Sequence, residues 1–121
     1  MKQARILLVI AALLLVVTAA FHSSGGAMVS SWLDGDKGAI LRLLWFVPAI
    51  DWAVIALLWG FVSWRNDQRF APVIYITAII PLVVALMLIG AVGAGFPGIW
   101  MLLGAVGFAV AGALRLPAEG N

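Results

Sequence analysis

Long apolar stretches alternate along this chain with short polar ones. Ile6–Phe21, Ala39–Trp64, Pro72–Phe96 and Gly98–Leu116 are the apolar runs, and every charged side chain except Asp51 falls at or beyond their ends. Each run is near or above the ~18 apolar residues that mark a membrane span. At about 1.5 Å of rise per residue, such helices cross a hydrocarbon layer of ~30 Å. The pattern therefore predicts an all-α integral membrane protein, a four-helix transmembrane bundle. Helices are expected at about 5–22, 39–64, 72–95 and 98–116, in one transmembrane domain over residues 1–121.

The polar intervals carry turn chemistry. Ser23-Ser24-Gly25-Gly26 marks the exit from the first helix, because neither serine nor glycine favours continuing it. Met28–Leu33 reads as a short interfacial turn, with Trp32 at headgroup depth, where indole is favoured. Asp34-Gly35-Asp36-Lys37-Gly38 is a polar turn whose acids precede the second helix, a favourable place for negative charge. On the other side, Trp64–Phe70 is a compact loop flanked by aromatics. Pro72 suits a first helical turn, where its missing donor costs nothing. Pro97 sits in a tight turn that makes the last two helices an antiparallel hairpin, Pro81 is expected to kink the third helix, and Glu119 belongs to a short polar tail.

The first run also imitates a cleavable signal peptide. Lys2 and Arg5 supply a basic start, Ile6–Val17 an apolar centre and Thr18-Ala19-Ala20 a small-residue stretch. A retained first helix is the expectation here.

Composition agrees with the pattern. The chain is 65% hydrophobic and 10% charged, with a mean hydropathy of +1.18, against roughly 25% charged residues in an average soluble domain. A net charge of +2 comes from a few basic helix ends, so it gives no argument for nucleic-acid binding. Without cysteine, disulfides, thiolate chemistry and iron–sulfur clusters are excluded. Lys2, Arg5, Arg65, Arg69 and Arg115 would share one side of four spans, and the positive-inside rule makes that side the cytoplasm. Both termini are then cytoplasmic, in a multi-pass protein of the cell inner (plasma) membrane, with Lys37 and Arg42 opposite.

Asp51 is the leading functional candidate. A carboxylate at mid-bilayer costs roughly 2.5–3.5 kcal/mol, so it is expected to face protein or a water-filled cavity. Arg42 lies nine residues away, about 13 Å along the helix axis, too far for an easy pair. Asp51 is therefore expected to donate a hydrogen bond to a carbonyl freed by a proline: Leu44, four residues before Pro48, or Thr77, four before Pro81. Two roles follow: polar glue between helices, or a proton or cation site. Trp45, Trp52 and Trp59 recur every seven residues and form one stripe. That stripe serves helix packing or lipid contact, or else offers a face to a flat apolar ligand. His22, the single histidine, lies at the end of the first helix, where a headgroup or polar-ligand contact shared with Arg42 is the functional alternative to an ordinary interfacial residue.

Nothing catalytic emerges. No Ser–His–Asp set shares one depth, no metal-ligand cluster or phosphate loop occurs, and a lone histidine is a poor zinc site. No covalent or metal cofactor is implied. Ala105, Ala109 and Ala113 form a small-xxx-small ladder that lets backbones approach, within the hairpin or against another chain. The expected protein is a small non-enzymatic inner-membrane component, an accessory or assembly subunit of a larger complex or a homo-oligomer. Its partners would be membrane lipid and other membrane subunits or copies of itself, with no nucleic acid. The alternative is a proton- or cation-coupled small transporter, or an apolar-ligand-binding membrane protein, using Asp51.

Overall fold

Helix α1 spans Lys2–Ser24, α2 Gly26–Ser30, α3 Gly35–Arg65, α4 Ala71–Val92 and α5 Pro97–Ala113, with a 3-10 turn at Gln68–Phe70. This computed structural model describes residues 2–118, and Glu119 lies outside the described residues. Every regular element among them is helical. The stretches 2–30, 35–65 and 68–92 are long and apolar enough to cross a membrane, while Pro97–Ala113 is a shorter apolar helix.

Hydrogen bonds fix the order of packing. Ser63 Oγ donates to the Arg5 carbonyl at 3.2 Å, and His22 Nε2 lies 2.8 Å from the Trp45 carbonyl, so α1 and α3 run antiparallel. Trp59 Nε1 donates to Thr77 Oγ1 at 2.8 Å, which sets α3 against α4. Phe21 and Phe96 meet at the far end of α1, with ring centroids 6.5 Å apart. Helix α1 lies between α3 and α5, and α4 closes the bundle mainly against α5. The Gln68 N–H donates to the Pro117 carbonyl at 3.0 Å, tying the chain's last described turn to the α3–α4 loop.

The buried positions step by three and four residues: Ala4, Leu8, Ala11, Leu15 and Thr18 in α1, and Ala71, Ile74, Ala78, Pro81 and Ala85 in α4. That spacing is the seam of helices crossing at shallow angles. The outside, by contrast, is made of large aliphatic side chains. Leu57 is 74% exposed, Met87 69% and Ile76 68%. A surface this apolar is what lipid would cover, since large exposed apolar patches otherwise drive association. The Ala105–Ala109–Ala113 ladder is buried within this chain.

Boundaries differ from expectation where charge and helix end at different places. The second long helix begins at Gly35 rather than near residue 39, because Asp36 and Lys37 limit the apolar run without disfavouring helix. Gly38 allows this early start: a Cβ there would overlap the Leu33 carbonyl and lie 2.7 Å from the Ser30 carbonyl. The turn expected at Met28–Leu33 is a short helix one step earlier, and Trp32 is exposed. Helix α4 stops at Val92, where Gly93 adopts φ 78°, and it continues without interruption across Pro81.

The α3–α4 loop is held by local bonds. Asn66 takes φ 48° and its N–H reaches the Val62 carbonyl at 2.8 Å, closing α3 with a left-handed residue. The Asp67 carboxylate accepts from Arg69 Nη2 at 2.8 Å, Nε at 3.0 Å and the Arg69 N–H at 2.9 Å. The Arg69 side chain, then its backbone N–H, holds this carboxyl below the usual carboxylate range. Arg65 lies over the Phe70 ring, 5.4 Å from its centroid.

Candidate functional site

The sequence candidates divide into an inward cluster and two outward groups. Trp45, Trp52 and Trp59 all turn toward the bundle: Trp59 is 0% exposed, Trp52 3% exposed and Trp45 half-buried. Their seven-residue repeat keeps them on the side of α3 that packs on α1 and α4. The stripe is thus a packing seam.

His22 joins the stripe. Its Nε2 faces the Trp45 carbonyl at 2.8 Å, and Trp45 Nε1 donates to the His22 carbonyl at 2.6 Å. A carbonyl only accepts, so Nε2 carries the proton in this arrangement. The His22 carbonyl thus takes two donors at the end of α1, the Trp45 indole and the Gly25 N–H at 3.1 Å. The two rings stack at 4.4 Å with 6° between planes, and Trp52 meets the imidazole edge-on at 5.2 Å. Gly25 and Gly26 make room for this: a Cβ on either would approach the Trp45 or Phe46 ring to 3.2 or 3.1 Å. His22 is therefore a helix-joining residue rather than one turned toward headgroups beside Arg42. One polar atom in the cluster lacks a partner: Trp52 Nε1 is buried with no acceptor among the described residues.

Arg42 lies elsewhere. It is exposed and lines a shallow groove with Ser30, Ser31, Asp34 and Gly38, where α2 folds back on the start of α3.

Asp51 departs most from expectation. The expected hydrogen bond to the Leu44 or Thr77 carbonyl is absent; Asp51 is exposed and makes no hydrogen bond or ion pair among the described residues. Thr77 is engaged instead by Trp59 and by its own helix, donating to the Val73 carbonyl at 2.6 Å. The reason is rotational. Trp52 occupies the inward face, and one residue is about 100° of helix, which carries Asp51 to the outside. Its flanks on that face, Leu44, Val47, Val54 and Leu58, are exposed too. Asp51 lies six residues, about 9 Å along the axis, beyond the His22–Trp45 contact, near the middle of the Ala39–Trp64 apolar run. It sits well inside the zone bounded by Arg5 at one end and His22 at the other.

Sequence reasoning missed the threonine and serine contacts, Thr77 and Ser63 above all, because a hydroxyl in an apolar helix usually bonds its own backbone and gives no further signal. No group of three or more metal-ligating side chains occurs among the described residues. Comparison of the chain with protein-family models, with curated proteins and with solved structures finds no match.

Proposed function

We propose that this chain is a non-enzymatic inner-membrane protein with four transmembrane helices and both termini cytoplasmic. It acts as an accessory or assembly subunit, contributing helix surface and lipid contacts to a larger complex or homo-oligomer. The observation that carries this reading is Asp51: a carboxyl turned out of the bundle, at a depth where lipid offers it nothing. Such a group is tolerated when a neighbouring helix covers it. The distribution of charge supports the topology. All Lys and Arg except Lys37 and Arg42 belong to the end where Arg5 meets Ser63 and Gln68 meets Pro117, and basic residues accumulate on the cytoplasmic side.

The rival reading is a proton- or cation-coupled small transporter, or an apolar-ligand-binding protein, that works as a homo-oligomer. The outward carboxyl favours it in one respect, since Asp51 would line a path between subunits. One experiment addresses both. The protein is extracted in a gentle detergent or in native lipid discs and its intact mass is measured. Association with other membrane proteins is the expected result. A homo-oligomer alone is the result that both readings allow, and a monodisperse monomer without company defeats both.

A further inference from the structure

We propose that the Asp51 face of α3 seats a transmembrane helix of another protein, one that carries a basic side chain at the depth of Asp51. This rests on the assembly reading above and names the chemistry of the partner.

The face is continuous. Ile40, Leu44, Val47, Val54 and Leu58 lie 11, 7 and 4 residues before and 3 and 7 after Asp51, offsets that place them on one side of the helix with it. All of them are exposed large aliphatics, so the surface is a ridge of branched side chains around one carboxyl. At this depth a backbone must satisfy its own polar groups, which makes a helix the natural occupant.

Charge decides what that helix carries. Among the described residues no counter-ion faces it: Lys2, Arg5, Arg65, Arg69 and Arg115 belong to the far end, and Lys37 lies near the start of α3. Arg42 is nearest in sequence, but nine residues are two and a half turns, so it projects from the opposite side of α3. A second copy is poorly matched for the same reason. Its α3 would bring a like carboxyl in a parallel two-fold contact. Its other exposed surfaces at this level, Val16 and Val17 on α1 and Leu82, Val83 and Leu86 on α4, are wholly apolar. A cation at matching depth on a different helix is the complement that the carboxyl lacks, and charges within membranes pair in this way.

The test uses the full-length chain in phosphatidylcholine vesicles with labelled leucine-rich transmembrane peptides. Each peptide carries one Lys, Leu or Glu near the middle of its apolar stretch, and association is read by energy transfer. The Lys peptide is expected to bind about tenfold more tightly than the Leu peptide. Asp51→Leu should abolish that preference, and Asp51→Lys should transfer it to the Glu peptide. Equal binding of Lys and Leu peptides, or a preference that survives Asp51→Leu, overturns the proposal. Because the chain has no cysteine, Val47→Cys and Val54→Cys report directly on self-contact. Efficient cross-linking between copies through these positions would also overturn it. That outcome would leave the assembly reading standing, which fails only if the chain purifies as a solitary monomer.

Discussion

Trp59 Nε1 reaches the Thr77 hydroxyl at 2.8 Å across the α3–α4 contact, and that hydroxyl donates onward to the Val73 carbonyl at 2.6 Å. Both lone groups are thereby satisfied where no water competes. Thr77→Val keeps the shape but leaves a buried indole N–H without an acceptor. We expect it to destabilise the fold by about 0.5–2 kcal/mol in a reversible unfolding assay in bicelles. In a double-mutant cycle with Trp59→Phe, the coupling should be near 0.6 kcal/mol, the average for polar pairs within membranes. A coupling indistinguishable from zero would show that this bond is incidental. Asp51 and Trp52 form the contrasting pair. Adjacent in sequence, they sit on opposite sides of the packing boundary, one exposed with no partner among the described residues and one 3% exposed with a lone N–H. The sequence singles out Asp51 by its charge, but apolar residues lie all round it, so nothing in the pattern says which way it points.

At the scale of the helix, the inside is marked by size. Each long helix buries small residues every seven positions: Ala4, Ala11 and Thr18 in α1; Ala49, Ala56 and Ser63 in α3; Ala71, Ala78 and Ala85 in α4; Gly98, Ala105 and Gly112 in α5. Lipid tails are as apolar as leucine, so association gains from close backbone approach rather than from hiding apolar surface. Gly112 is a tight approach between helices, since a Cβ there would lie 2.9 Å from Leu8 Cγ and 3.3 Å from the Ala4 carbonyl. Gly112→Val should therefore cost about 1–3 kcal/mol by forcing α1 and α5 apart. Gly107, one and a half turns away, has nothing within 4 Å of a built Cβ. Gly107→Ala should be neutral or stabilising by up to about 1 kcal/mol, because alanine suits helix better. Equal losses at the two positions would mean that the α1–α5 crossing is not as tight as described.

For the whole molecule, the two ends of α3 provide the sharpest check. Gly35 opens α3, and Gln68 follows its close in the loop that binds Pro117. Reporter fusions after Gly35 and after Gln68 should report opposite sides of the membrane, the second cytoplasmic. The same sidedness for both would overturn the proposed topology. The α5 helix, at 17 residues, is the shortest of the long helices. Packed against both α1 and α4, it has protein rather than lipid along much of its length, and so it relies less on its own hydropathy to hold its position.

The alternation of apolar and polar stretches by itself determined that this chain is helical and where each long helix lies to within about four residues; it marked four runs as spans, of which three are long and apolar enough as helices to cross a membrane. Length and missing charge suffice for that, because an apolar medium leaves the backbone few choices. Only the tertiary structure decided which face of each helix turns inward. With apolar residues on every side there is no amphipathic period to read, and the choice falls to the fit of small and large side chains across helix contacts. That fit places Trp52 and Trp59 inside, draws His22 in to stack on Trp45, and leaves Asp51 pointing away from the helices that pack on α3.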